Sequence, residues 1–261
     1  MTTEKNIVLM VSAPRSGTTA LLELIESMSN ALNLLEIFHV NEDVAKQHLR
    51  RGFSSCGHEG NAIDKAIHSN VWSRRRDKPG EFLAHLLEST TQNTVLLKIF
   101  PGHLAMPKVE DLVSKMVSHV WIHTRSPLDT FISNEKAKIV GTYATVDTTS
   151  LKIEFNGDDF RRWKNHQLKF FEAFYGELNP LGVAIETRYE GVFADKRHDH
   201  NLQQICRALN IEANAETTPV TTLRRQDSNE SPLEKVSNPA QLQEFLLREG
   251  ADMEHLLPHA H

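Results

Sequence analysis

The stretch "NIVLMVSAPRSGTTALLELIESM", residues 6–28, constrains this chain more than any other. Ile7 to Val11 is a short aliphatic, partly β-branched run, Pro14 and Gly17 punctuate it, and Thr18 to Met28 repeats apolar residues at helical spacing. Strand, tight loop and helix therefore follow in that order. The first turn of a helix carries N–H donors with no intrahelical partner and the positive end of the macrodipole, so a strand feeding such a loop makes a site for phosphate or sulfate. Arg15, Ser16, Thr18 and Thr19 add side-chain donors around Gly17.

Three later runs read as buried strands bounded by Pro, Gly or polar clusters: "TVLLKIF" (94–100), "HVWIHT" (119–124) and "GVAIET" (182–187). "LNLLEIF" (32–38) is a further candidate. Helical patterns separate the runs, which predicts an α/β fold with a mostly parallel central sheet and helices on both faces. At 261 residues and 39% hydrophobic content the chain can bury a full core, and a single domain over 1–261 is expected. The Thr-, Gly- and Asp-rich segment 139–159 reads as a long loop of the kind that serves as a lid. After it, a helix capped by Asp158 or Asp159 places Phe160, Trp163, Gln167, Phe170, Phe171 and Phe174 at helical intervals, an aromatic stripe for the core.

The formal charge of −5 argues against a general nucleic-acid binder, although the cluster "SRRRDK" (73–78) could meet an anion. Cys56 and Cys206 are far apart and form no C-x-x-C pair, so neither a disulfide framework nor a zinc site is implied. The histidines of "RHDHN" (197–201) sit two apart and diverge, which speaks against a metal there. The first apolar run is too short for a signal peptide or a membrane span, and the expectation is a soluble, cytoplasmic protein.

The triphosphatase pattern G-x-x-x-x-G-K-[ST] tests the first loop. Ser12 stands where the first Gly should be, Gly17 and Thr19 fit, and Thr18 replaces the lysine that reaches the β and γ phosphates. The aspartate expected at the end of a later strand is missing from "TVLLKIF" and "HVWIHTR" as well. The loop thus suits an anion carried without magnesium. A second anchor repeats its logic: in "HVWIHTRSPLDTFISNEKAK" (119–138) a strand ends, Arg125 follows, Pro127 starts a helix, and Ser133 lies two turns in. Ligands of open parallel sheets bind at such strand ends, and an Arg with a Ser can hold one phosphate.

"APRSGTT" resembles the loop that holds the 5′-phosphosulfate in sulfotransferases dependent on 3′-phosphoadenosine-5′-phosphosulfate (PAPS). "TRSPLDTFIS" resembles their 3′-phosphate motif, with Arg125 and Ser133 eight positions apart as in the family, and "TRYEGVFAD" (187–195) resembles the family's Tyr-Glu segment. The resemblance spans most of the chain and is nearest to bacterial and carbohydrate branches, which share Arg15 where many cytosolic members carry Lys. It implies the P-loop-like sulfotransferase fold. It further implies donor binding by Arg15, Ser16, Gly17, Thr18, Thr19, Arg125, Ser133 and Tyr189, with Arg224 and Arg225 of "TLRRQDSNESPLEKVSN" (221–238) reaching the 3′-phosphate.

Sulfuryl transfer is an in-line displacement in which charge grows on the oxygen leaving with adenosine 3′,5′-bisphosphate, so positioning and electrostatic stabilisation should dominate. Arg15, the amides of 17–19 and Lys98 are the expected clamp on that oxygen. The acceptor hydroxyl needs a general base. His103 in "LKIFPGHLAMP" resembles the "K-T-H-L" catalytic histidine of cytosolic members, and Glu36 in "LLEIFH" resembles the glutamate some carbohydrate sulfotransferases use, with His39 able to share that role. Both remain open. The expected acceptor is a hydroxyl on a glycan or glycolipid, with a small-molecule alcohol or phenol as the alternative and no metal required. A P-loop kinase and a non-catalytic nucleotide-binding module are the readings from other classes.

Overall fold

Five parallel strands form one sheet in the computed structural model, which describes residues 5–57, 63–64, 67–141, 146–177, 182–193, 198–223 and 226–249. They are β1 (Asn6–Ser12), β2 (Leu32–Leu35), β3 (Thr94–Ile99), β4 (His119–Thr124) and β5 (Val183–Arg188), in the spatial order β2-β3-β1-β4-β5. Every pairing is parallel. The helices among these residues are α1 (Thr18–Met28), α2 (Glu42–Ser55), α3 (Asn70–Ser73), α4 (Pro79–Glu88), α5 (Met106–Met116), α6 (Pro127–Val140), α7 (Gly157–Glu177), α8 (Tyr189–Phe193), α9 (His198–Ala208) and α10 (Pro239–Glu249).

Strand β1 is central and buried on both sides, which is why its sequence is a continuous apolar run without alternation. Ile7, Leu9 and Val11 pack with Leu49 and Phe53 of α2, Phe82 of α4, Leu112 of α5 and Phe171 of α7. Val8 and Met10 face the other layer, with Leu21, Leu22 and Ile25 of α1 and Leu202 and Ile205 of α9. Helices therefore cover both faces, as the strand pattern required. Leu9 and Met10 are wholly buried on opposite faces, and each contributes about 1.5–3 kcal/mol by leaving water. Because the chain leaves β1 toward β2 and leaves β4 toward β5, the loops after β1 and β4 part and open a crevice at the strands' carboxyl ends.

Three local expectations are corrected. The second strand stops at Leu35, short of Phe38, because Leu35 takes a left-handed backbone (φ 49°) and turns Glu36 out of the sheet. A bulky residue rarely adopts that conformation, and here its wholly buried side chain holds it. Helix α7 is capped by Asn156, whose Oδ1 accepts from the N–H groups of Asp158 (2.9 Å) and Asp159 (3.2 Å); the two aspartates sit in the first turn instead.

The segment read as a free lid is tied down over its described part. Ile153 donates to the Lys235 carbonyl and accepts from Ser237 N–H, and Lys136, a buried side chain, reaches both the Thr148 carbonyl (2.9 Å) and Asp227 (2.7 Å). Lys235 pairs with Asp129 at 2.5 Å. Removing one member of such a buried pair costs about 3–5 kcal/mol, so residues 147–155 and 226–238 are a strap fixed to α6. Leu128, Phe131, Phe155, Phe160 and Phe245 fill the space beneath it, and the aromatic stripe of α7 is core.

Candidate active site

The loop after β1 turns through two left-handed residues, Arg15 (φ 71°) and Gly17 (φ 78°), before α1 begins. Gly17 is the N-cap and makes no side-chain cap, so the first N–H groups of α1 stay available to a ligand. Any side chain at 17 would also collide: a Cβ there would lie 2.6 Å from two carbons of the Tyr189 ring. Tyr189, at the start of α8, stacks under the Arg125 guanidinium at 4.6 Å, and Arg125 Nη1 donates to the Arg15 carbonyl at 3.1 Å. The first loop, the end of β4 and the segment after β5 thus meet at one place.

Two buried donors there have no partner among the described residues: Ser16 Oγ and Arg125 Nε. An unsatisfied buried donor costs about 1–3 kcal/mol, which a bound phosphate or sulfate oxygen would offset. The residues fit an anionic ligand on that ground. Arg15 leans toward α6, donating from Nε to Ser133 Oγ at 3.1 Å and from Nη2 to Gln226 Oε1. Arg224 and Arg225 lie outside the described residues.

Lys98 rises from β3, which pairs with β1, and its wholly buried ammonium joins the loop to the neighbouring strand ends. Nζ donates to Thr19 Oγ1 at 2.6 Å and Thr18 Oγ1 at 3.3 Å, and sits 3.0 Å from Glu36 Oε1. His103 Nε2 is 3.7 Å from the other Glu36 oxygen. Burial by itself would raise the Glu36 carboxyl, but Lys98 and His103 outweigh it and hold the pKa below the usual range. The carboxylate is ionised. Burial pushes the imidazole of His103 down to about 4 despite Glu36, and the same force brings nearby His48 to about 4.

The backbone N–H of Phe100 donates to His103 Nδ1 at 3.3 Å, so the neutral ring carries its proton on Nε2, facing Glu36. Asn41 N–H donates likewise to His39 Nδ1 at 3.0 Å. Among the described residues Glu36, His39 and His103 bring ligand atoms within 4.8 Å of one another, close enough to share a cation. The His103 Nε2 proton and the Lys98 charge oppose that use.

The inner arginines of the "SRRRDK" cluster bond to backbone carbonyls. Arg75 Nη2 donates to the His39 carbonyl at 3.0 Å, and Arg76 donates to the carbonyls of His103 (2.8 Å) and Gly102 (3.2 Å). The two guanidiniums after α3 thus latch the loops that carry both histidines. Sequence reasoning missed this latch, Gln226, His48 and also His123, a polar residue in a buried apolar strand. That last mismatch was a usable signal.

No family model and no curated protein matches the sequence. Solved structures do. The sulfotransferase domain of the Synechococcus PCC 7002 olefin synthase aligns with a TM-score of 0.54 at 16% identity, over 92% of this chain and 84% of that one. A sulfotransferase from Alicyclobacillus acidocaldarius aligns at 0.49 and 12% identity over 95% and 94% of the two chains. Retinol dehydratase, in a complex with retinol and PAP, aligns at 0.38 and 16% identity over 82% and 62%. With its five-stranded parallel sheet and the loop that follows β1, this chain has the fold of the sulfotransferases.

Proposed function

We propose that the protein transfers a sulfuryl group from PAPS to an acceptor hydroxyl. The observation that carries the reading is Lys98, whose single ammonium touches the anion-binding loop at Thr19 and the ionised Glu36 at once. A carboxylate and a phosphate-type loop joined by one buried cation suit a reaction that takes a proton at one end and leaves charge on an oxygen at the other.

In this reading the Ser16 hydroxyl, the N–H groups opening α1 and the side chains of Arg15, Thr18 and Thr19 hold the 5′-phosphosulfate. Arg125 and Ser133 hold the 3′-phosphate, and Tyr189 keeps the Arg125 guanidinium flat beside it. Glu36 takes the acceptor's proton as the acceptor oxygen bonds to sulfur. The sulfur's bond to the bridging oxygen breaks, Lys98 stabilises the charge left on that oxygen, and adenosine 3′,5′-bisphosphate leaves. Glu36 is preferred to His103 as base because the His103 proton already sits on the nitrogen that faces Glu36. His103 then orients the carboxylate.

The acceptor class rests on residue resemblance, Arg15 in the first loop and Glu36 at the end of β2, and a glycan or glycolipid hydroxyl is the first to test. A cytoplasmic setting is supported by the free thiols of Cys56 and Cys206. Among the described residues no helix is long and apolar enough to cross a membrane. The test is mass spectrometry of oligosaccharide, glycolipid, phenol and alkyl alcohol panels incubated with PAPS and excess chelator. A gain of one sulfuryl group on one panel is expected. Turnover of ATP that strictly needs magnesium, with no sulfated product, would instead make the chain a kinase, and binding of donor with no product on any panel would make it a nucleotide-binding module.

A further inference from the structure

Ser12, His123 and Thr187 lie side by side across the carboxyl ends of β1, β4 and β5, as register partners. Trp121 Nε1 donates to Thr187 Oγ1 at 2.7 Å, His123 Nδ1 is 2.8 Å from the same hydroxyl, and His123 Nε2 is 2.9 Å from the Ser16 carbonyl oxygen. A carbonyl only accepts, so Nε2 carries the proton, Nδ1 of the neutral ring accepts, and Thr187 donates to it. The donors run one way, from Trp121 through Thr187 and His123 to Ser16. Ser12 Oγ fixes the strand beneath by donating to the His123 carbonyl at 2.6 Å. The ring is wholly buried, and that burial pushes its pKa down to about 4, although the Ser16 carbonyl pulls the other way. It is neutral at pH 7, as the one-way chain requires.

We infer that His123 is a positioning residue for the donor loop, which by holding the Ser16 carbonyl aims the Gly17 N–H at the bound 5′-phosphosulfate. In a trans peptide the C=O and N–H point in opposite directions, so an oxygen tied back to the sheet turns the next N–H toward the crevice. Arg125 does the same one residue earlier by donating to the Arg15 carbonyl. Two consecutive peptides are thereby set by residues 123 and 125, which stand on one side of the same chain segment. The left-handed turns at 15 and 17 complete a concave run of N–H groups, a shape that binds anions. The inference rests on the proposed donor site and adds to it a residue that touches no ligand.

The test has two parts. In ¹⁵N spectra of the wild-type protein at pH 7, the His123 ring should appear as the neutral tautomer protonated on Nε2; an Nδ1-protonated or cationic ring would overturn the inference with no variant made. Calorimetric titration with adenosine 3′,5′-bisphosphate then compares wild type, His123→Leu, His123→Gln and Thr187→Val. His123→Leu should bind roughly 10-fold more weakly, the loss of one net hydrogen bond. His123→Gln keeps an N–H near the Nε2 position and should recover most of that loss, while Thr187→Val, which leaves the ring in place, should fall between. Equal binding by wild type and His123→Leu, or a loss in His123→Gln as large as in His123→Leu, would overturn the role of His123 alone. A wild-type protein that does not bind the nucleotide would overturn the donor site itself.

Discussion

The donor end and the acceptor end of the site are built on opposite principles. At the donor end Ser16 Oγ and Arg125 Nε are buried with no partner among the described residues, which leaves hydrogen bonds that an anion would take. At the acceptor end Glu36 has Lys98 at 3.0 Å and His103 at 3.7 Å, and the loops behind are latched by Arg75 and Arg76. There the carboxylate itself already has its partners, and the one orphaned donor nearby among the described residues, Arg75 Nε, lies in the latch behind it. In the proposed function this difference separates binding from chemistry: the donor end offers hydrogen bonds to the nucleotide, whereas the acceptor end keeps a carboxylate ionised and aimed.

The strongest way to break this division is at Glu36. Glu36→Gln should lower turnover by roughly 10²- to 10⁴-fold, the usual worth of a general base, and leave binding of adenosine 3′,5′-bisphosphate unchanged. His103→Gln, which removes only the orienting ring, should cost much less. If steady-state rates showed the reverse order, the base would be His103 and the carboxylate its partner.

The donor end is sharpened at Gly17. Gly17→Ala adds a Cβ 2.6 Å from the Tyr189 ring and demands a left-handed backbone that costs a non-glycine residue about 1–2 kcal/mol. Nucleotide affinity should fall about 10-fold or more, measured by calorimetry, with Tyr189→Ala in the same chain recovering the steric part but not the backbone part. Full recovery in the double variant would mean that the φ value at 17 carries no weight.

A third effect bears on the stability of the fold, not on turnover or nucleotide affinity. His48, His103 and His123 are each pushed down to about 4, so between about pH 6.5 and 4 the unfolded chain binds protons that the folded chain does not. Stability should therefore fall as the pH drops through that window, by up to about 1.4 kcal/mol per pH unit for each histidine, and level off below it. Denaturant midpoints from pH 7 to pH 4 check the sign. His123→Gln should flatten the slope, and an unchanged slope would show that the ring is not held neutral.

The donor end was readable from sequence because its parts are contiguous. Residues 13–19 run from one loop into the first turn of α1, with N–H groups that point where backbone geometry sends them, and Arg125 and Ser133 belong to one strand-to-helix segment. The acceptor end was readable only as separate candidates. Glu36 follows β2, whereas Lys98 lies in β3 and His103 comes just after it, and it is the pairing of β2 with β3, with the left-handed turn at Leu35, that brings the three together. The arginine latch was hidden for a further reason: a run of three arginines has the same composition whether it faces solvent or bonds to backbone carbonyls. Asn156 was passed over as the cap of α7 because two aspartates follow it, and only geometry distinguishes a cap from a first-turn charge.

The central claim is that the crevice at the strand ends is built for a nucleotide carrying a 3′-phosphate. Titration with adenosine 3′,5′-bisphosphate and with adenosine 5′-phosphate, in wild type and in Arg125→Ala, tests it most directly. Hydrogen bonds to charged groups contribute about 1.5–3 kcal/mol each, so wild type should prefer the bisphosphate by roughly one to four orders of magnitude if Arg125 and Ser133 both contribute. Arg125→Ala should lose most of that preference: the monophosphate weakens by no more than about 10-fold, for the lost tie to the Arg15 carbonyl, and the bisphosphate by much more. Equal binding of the two nucleotides by wild type, or an Arg125→Ala variant that weakens both alike, would contradict the account.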